Sequence, residues 1–221
     1  MAYQTEDNTQ PEDFAPTQTS AINVRPVRPA DVAAVSTIYA HYVKYGTATF
    51  EEVPPDEQEM AQRIEAIQAQ NYLWLVADIA SQIAGYAYLA PHKDRSAYRY
   101  TAEVSIYMDP SMTRQGVGTQ LLAALLKYAE QSHRFATVMA VVGDSANSGS
   151  IALHEKFGFK RRGLSKGLGY KFGQFIDVVY MQLILPDPPL FPPRSEIKCS
   201  SSDGTPIAGL ETEQRVHGAR A

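Results

Sequence analysis

The chain of 221 residues contains a single cysteine, Cys199. That excludes an intramolecular disulfide framework and leaves too few thiolates for a cysteine-built zinc site. Its five histidines are scattered and none shows H-x-x-x-H spacing, so metal-assisted catalysis has no ligand set in the sequence. No apolar run approaches the roughly 20 residues that cross a bilayer. The acidic, polar N-terminus has no Arg before Arg25 and no apolar stretch, so neither a signal nor a transit peptide is expected. Lys and Arg number 20 against 24 Asp and Glu, a net charge of -4, which gives no broad basic face for nucleic acid. The expectation is a cytoplasmic protein without a nucleic-acid, membrane or metal partner.

What is present describes an ordinary globular chain, 44% hydrophobic and 20% charged. Residues 1–20 are rich in Gln, Thr, Pro and acids and are expected to be disordered. From Pro186 the run Asp187-Pro188-Pro189-Leu190-Phe191-Pro192-Pro193 favours polyproline II, and the Ser/Gly/Thr-rich remainder to Ala221 is expected to be unstructured. One domain is thus expected over residues 21–185. Within it, Ile22–Val27, Leu73–Ile79, Ile83–Ala90, Tyr98–Met108, Thr137–Val142, Phe159–Leu164 and Phe175–Leu185 read as strands. Helices are expected from Pro29 to about Tyr42, over Glu57–Gln70, from the glycine turn to about His133, and over Asn147–Phe157. The order is α/β with a mostly antiparallel front half, not an alternating βαβ chain.

The most informative stretch is Arg114-Gln115-Gly116-Val117-Gly118-Thr119. It follows the strand Glu103–Met108 and the break Asp109-Pro110. It opens a helix whose apolar residues, Val117, Leu121, Leu122, Leu125 and Tyr128, keep helical spacing. Glycines at a first turn let another molecule approach the backbone closely. The unpaired N–H groups and dipole of the helix start then form an anion site suited to a pyrophosphate, with Arg114 adding charge. A dinucleotide fingerprint fails because Leu121 stands at the third glycine position and Val138–Val142 lacks the acidic residue; a Walker A loop fails because no Lys-Ser/Thr pair follows.

Three further groups of residues have chemistry to offer. Glu103 lies among Ala, Val and Ile, where a carboxylate is costly to bury unless used or paired; the plainer alternative is an exposed glutamate on a polar strand face. Asn147, Ser150 and His154 share a helix face; Asn147 also suits an N-cap, and His154 a helix C-terminus. Lys93, Arg95 and Tyr98 cluster after Pro91, either as a solvated turn or as a clamp for an acidic group.

Longer blocks carry a resemblance. They are Gly46-Thr47-Ala48-Thr49-Phe50, Trp74-Leu75-Val76-Ala77, Gly85-Tyr86-Ala87-Tyr88 and Pro91-His92-Lys93-Asp94-Arg95-Ser96-Ala97-Tyr98. They continue through Glu103-Val104-Ser105-Ile106-Tyr107, the glycine turn, Leu153-His154-Glu155, and Gly169-Tyr170-Lys171-Phe172-Gly173 with Asp177. In this order, over about Asn23 to Leu185, the chain resembles the phosphinothricin and methionine-sulfoximine N-acetyltransferases of the Gcn5-related (GNAT) superfamily.

The resemblance implies a mixed, mostly antiparallel sheet of six or seven strands, splayed beside a β-bulge to hold acetyl-CoA, flanked by helices. It implies Glu103 as general base and His154 as the acid for the thiolate, where many superfamily members carry Tyr. Backbone at Ser105, Ile106 and Tyr107 would hold the acetyl-pantetheine arm, with the oxyanion on the N–H near Ile106. Arg114, Gln115, Gly116, Val117, Gly118 and Thr119 would hold the pyrophosphate, with Asn147 and Ser150 along the arm. Phe50, Lys93, Arg95 and Tyr98 would line an amino-acid site in a homodimer. Direct transfer is expected, since Cys199 is a poor nucleophile candidate in the tail. Other acceptors, a polyamine or a protein N-terminus, and a non-catalytic acyl-CoA-binding module stay open at this level.

Overall fold

A computed structural model describes residues 21–187; the segments 1–20 and 188–221, including Cys199 and Leu190-Phe191, lie outside the described residues. The chain runs β1 (Ile22–Pro26), α1 (Val32–Tyr45), α2 (Glu57–Ala69), β2 (Trp74–Ile79), β3 (Gln82–Pro91), β4 (Thr101–Met108), α3 (Val117–Gln131), β5 (Thr137–Gly143), α4 (Ser148–Lys156), β6 (Lys160–Lys171) and β7 (Gln174–Ile184). Each α/β element expected from the sequence is present. Two boundaries differ for a local reason. Ser96–Tyr98 forms a 3-10 turn ahead of β4, so that strand starts at Thr101. β6 runs on to Lys171, because two register shifts against β7 absorb the glycines that read as a break after Leu164.

The strands form one sheet in the order β1-β2-β3-β4-β5-β7-β6, and pairing is antiparallel except between β4 and β5. Alternation along the strands separates two cores. Leu75, Ala87, Leu89, Val104, Val138 and Ala140 meet Leu121, Leu122 and Leu125 of α3. On the other face Trp74, Val76 and Tyr86 pack with Val35, Ile38 and Tyr39 of α1 and Met60 and Ile64 of α2. Glu103, Ser105 and Tyr107 share the α1/α2 face by the same period.

The parallel pairing of β4 with β5 covers only Thr101–Val104 against Thr137–Ala140. Beyond it β4 stays with β3, down to Met108 against Gly85, while β5 stays with β7, down to Gly143 against Val178. The two strands therefore diverge. The expected β-bulge beside this opening is a point of correction: β4 keeps an unbroken register with β3, and the shifts fall at Ala77/Asp78 and within β6. The opening arises because pairing stops where each strand has a committed neighbour on its other side.

The Gly46–Phe50 loop after α1 is held by a buried cation. Lys171, 1% exposed, donates from Nζ to the carbonyls of Tyr42 (3.2 Å), Gly46 (2.9 Å) and Thr49 (2.8 Å). All three ammonium donors are used, at the end of a helix where positive charge is favoured. Burial pulls the lysine below its ordinary pKa, and the nearby Glu52 and Glu51 carboxylates oppose that shift. Thr47 Oγ1 donates to Asp144 after β5 at 2.9 Å, so the loop is tied at two points to the β5-β7-β6 side of the opening. Replacing Lys171 by Met keeps the stem and orphans three carbonyls. Urea unfolding should show a loss of about 2–4 kcal/mol; an unchanged midpoint would mean that the loop is held by other contacts.

Candidate active site

The divergence of β4 and β5 creates a cleft of about 450 Å³. One wall is β4 from Val104 to Met108, and the other is β5 from Ala140 to Gly143. The backbone groups these stretches turn toward each other have no sheet partner across the gap, and an extended chain can take them up as an added strand would. Ser105, Ile106 and Tyr107 all line it, as expected. Tyr42 closes the end, its hydroxyl donating to the Met108 carbonyl at 2.8 Å. Ala48 of the lysine-held loop also reaches the lining.

The glycine turn forms the mouth. Gly116 caps α3 in the left-handed region (φ 83), and Arg114 adopts it too (φ 64). Glycine enters that region freely, whereas for arginine it is an uncommon, strained conformation of the kind found at ligand clamps. The result aims the first amides of α3 outward: the first α-helical bond runs from the Gln120 N–H to the Gly116 carbonyl, leaving Val117, Gly118 and Thr119 without helical partners. A Cβ at Gly116 would meet nothing within 4 Å, so the space over the turn is open. Arg114, Gly116, Val117, Gly118 and Thr119 line the cleft, but Gln115 does not; it is an exposed residue of the turn.

Asn147, Ser150 and His154 line the same cleft from α4. Asn147 is the N-cap, its Oδ1 accepting from the Ser150 N–H at 3.2 Å. His154 is 4% exposed, with Nδ1 2.8 Å from the Ser150 carbonyl. A carbonyl only accepts, so Nδ1 carries the proton and Nε2 of the neutral ring carries a lone pair. Nε2 is buried without a protein partner. Burial holds the imidazole below its usual pKa, against the opposing pull of the Ser150 carbonyl. In this form Nε2 has to take up a proton before it can give one to a thiolate.

Glu103 sits on the penultimate rung before the opening, paired with Ala90 on one side and Met139 on the other. It is neither buried alone nor simply exposed. Its side chain is half-enclosed, and Oε2 is 2.7 Å from Nδ1 of His92, a residue the sequence reading gave no role. The Tyr98 ring stands edge-on to His92 with centroids 5.9 Å apart, which brings one member of the Lys93/Arg95/Tyr98 cluster to the carboxylate. Lys93 and Arg95 are exposed in the same loop. Phe50 is held elsewhere, against β6: a Cβ at Gly169 would fall 2.4 Å from its ring, so only glycine admits this packing.

A GNAT acetyltransferase domain model matches residues 24–180, well over half of the chain. The chain belongs to the GNAT acetyltransferase family. It is 44% identical over 162 residues to a phosphinothricin N-acetyltransferase of Alcaligenes faecalis, covering 73% of this chain and 82% of that protein. To an L-methionine sulfoximine/L-methionine sulfone acetyltransferase of Pseudomonas paraeruginosa it is 34% identical, covering 74% and 94%. The crystal structure of a GNAT superfamily phosphinothricin acetyltransferase from Sinorhizobium meliloti in complex with AcCoA superposes with a TM-score of 0.72 at 34% identity, over 85% of this chain and 94% of that one.

The chain is therefore an N-acetyltransferase with acetyl-CoA as co-substrate. The cleft offers strand edges unpaired across the gap and three amides of the α3 start beside Arg114. Gly116→Val puts a β-branched residue at φ 83 and fills the open space over those amides. Calorimetry should show acetyl-CoA affinity reduced at least about tenfold, the equivalent of about 1.4 kcal/mol. Unchanged affinity in the folded variant would remove the turn from the cofactor site.

Proposed function

We propose that this acetyltransferase transfers the acetyl group of acetyl-CoA directly to the α-amine of a small amino-acid-like acceptor of the phosphinothricin, methionine sulfoximine or methionine sulfone type. The observation that carries the reading is the position of Glu103. Glu103 stands one residue before Val104, the first β4 residue of the cleft lining, and its carboxylate is held by His92, beside Tyr98 of the loop that also carries Lys93 and Arg95. A base at that point separates a site for a thioester from a site for an amine that carries an anionic group. Lys93 and Arg95 attract such an anion and repel a polyamine.

Glu103 accepts one proton from the ammonium, and the neutral amine forms its bond to the thioester carbon. The backbone N–H near Ile106 donates to the oxygen on which charge develops, which a preorganised donor in a narrow cleft does without reorganisation. His154 begins as an acceptor. Its Nε2 takes the second nitrogen proton as the amide forms and returns it to the sulfur as the C–S bond breaks. The products are the N-acetyl compound and the free thiol, with one proton left on Glu103 for solvent. A histidine held neutral by burial can act in this order, whereas one held as imidazolium could not start.

We further propose a cytoplasmic homodimer. Support comes from the β6–β7 hairpin, which exposes Leu164, Leu168, Tyr170, Phe172 and Phe175 on one edge of the sheet, more apolar surface than a solvated hairpin needs. Among the described residues no helix is long and apolar enough to cross a membrane.

Two variants test the assignment with phosphinothricin and methionine sulfone as acceptors. Glu103→Gln keeps the shape and removes the base, and kcat/KM should fall by about 10²–10⁴. Turnover near wild type at neutral pH would reject Glu103. Arg95→Ala should raise the acceptor KM by about tenfold or more, the loss expected of one charged hydrogen bond, with the acetyl-CoA KM unchanged. Equal losses for both substrates would make the loop structural.

A further inference from the structure

We propose that His92 is a positioning residue for Glu103, holding one carboxylate oxygen so that the other faces the amine. The inference rests on the reading of Glu103 as base.

Strand register brings the two together. Ala90 pairs with Glu103 and Pro91 with Ala102, and the His92 N–H reaches the Thr101 carbonyl at 3.4 Å. His92 thus lies opposite Thr101, one diagonal step from Glu103 on the same face of the β3–β4 pair, within reach of a ring side chain. As a carboxylate Glu103 can only accept, so His92 Nδ1 carries the proton and donates to Oε2. The 2.7 Å separation is that of a charge-assisted hydrogen bond. The imidazole is itself enclosed, its side chain 13% exposed and backed by the edge-on Tyr98 ring. A glutamate 30% exposed on a strand has several rotamers open to it. With Oε2 engaged the carboxylate plane is fixed, and Oε1 is the oxygen left for the incoming ammonium. Phe at position 92 would fill the same place against Tyr98 and supply no N–H.

A double-mutant cycle read by steady-state kinetics tests the inference. His92→Phe should lower kcat by about tenfold to a hundredfold, the scale of a misplaced catalytic group, and leave the acetyl-CoA KM unchanged. His92→Gln, whose side-chain amide can still donate to Oε2, should recover most of the loss. In a Glu103→Gln background His92→Phe should cost nothing further, since there is no carboxylate to place. Thermal melts confirm folding, and His92→Ala replaces the phenylalanine variant in the cycle if that one does not fold. A kcat unaffected by loss of the imidazole, or the same fold-loss in both backgrounds, would overturn the inference. Glu103→Gln with wild-type activity would instead overturn the base assignment beneath it.

Discussion

The place where β4 and β5 stop pairing sets the rest of the structure. Parallel pairing holds Thr101–Val104 against Thr137–Ala140, and past that point each strand follows its other neighbour. A parallel sheet interior is normally sealed on both edges of every strand. Here a stretch of backbone from Ser105 to Met108, and another from Val141 to Gly143, is left without its cross-strand partner. Unpaired backbone groups away from water are expensive, so the fold keeps them in an open cleft that another extended molecule can enter. Glu103, which pairs with Met139 one rung before the opening, and the start of α3, which lines it, are both placed by reference to that opening.

Keeping the opening in shape requires that its walls do not collapse together. α3 does part of this by packing Leu121, Leu122 and Leu125 into the apolar core that also takes in Val104 of β4 and Val138 and Ala140 of β5. The loop between α1 and α2 does the rest, and it depends on polar contacts. Lys171 reaches three carbonyls from β6, and Thr47 ties to Asp144 beyond β5. Asp177 of β7 collects the Lys166 ammonium, the Gly167 N–H and the Ser145 hydroxyl at 2.8–3.0 Å, donors that hold its carboxyl down at about 2. Hydrogen bonds fix geometry in a way that apolar contacts do not, and a site that must receive two substrates in line needs that geometry.

Much of this was legible in the sequence, where a local rule sufficed. The glycine turn showed its place between a strand and a helix, and Asn147 showed its cap, because both depend on neighbours in the chain. What was not legible depends on register or burial. The partnership of His92 with Glu103 follows from which β3 residue faces which β4 residue. The length of β6 was hidden by Gly163, Gly167 and Gly169, which bulges accommodate. The tautomer of His154 needed the Ser150 carbonyl one turn back, which the helical spacing allowed but did not demand. Gln115 sat in the motif but does not line the cleft; it is an exposed residue between Arg114 and Gly116, both at positive φ.

The central claim is that acetyl-CoA completes the edge of the sheet that β5 leaves open. Amide hydrogen exchange with and without acetyl-CoA measures this most directly. Peptides covering residues 104–109, 116–120 and 140–144 should gain protection together, with β1 to β3 unchanged. Protection confined to the glycine turn, with the β4 and β5 edges exchanging as before, would contradict the account.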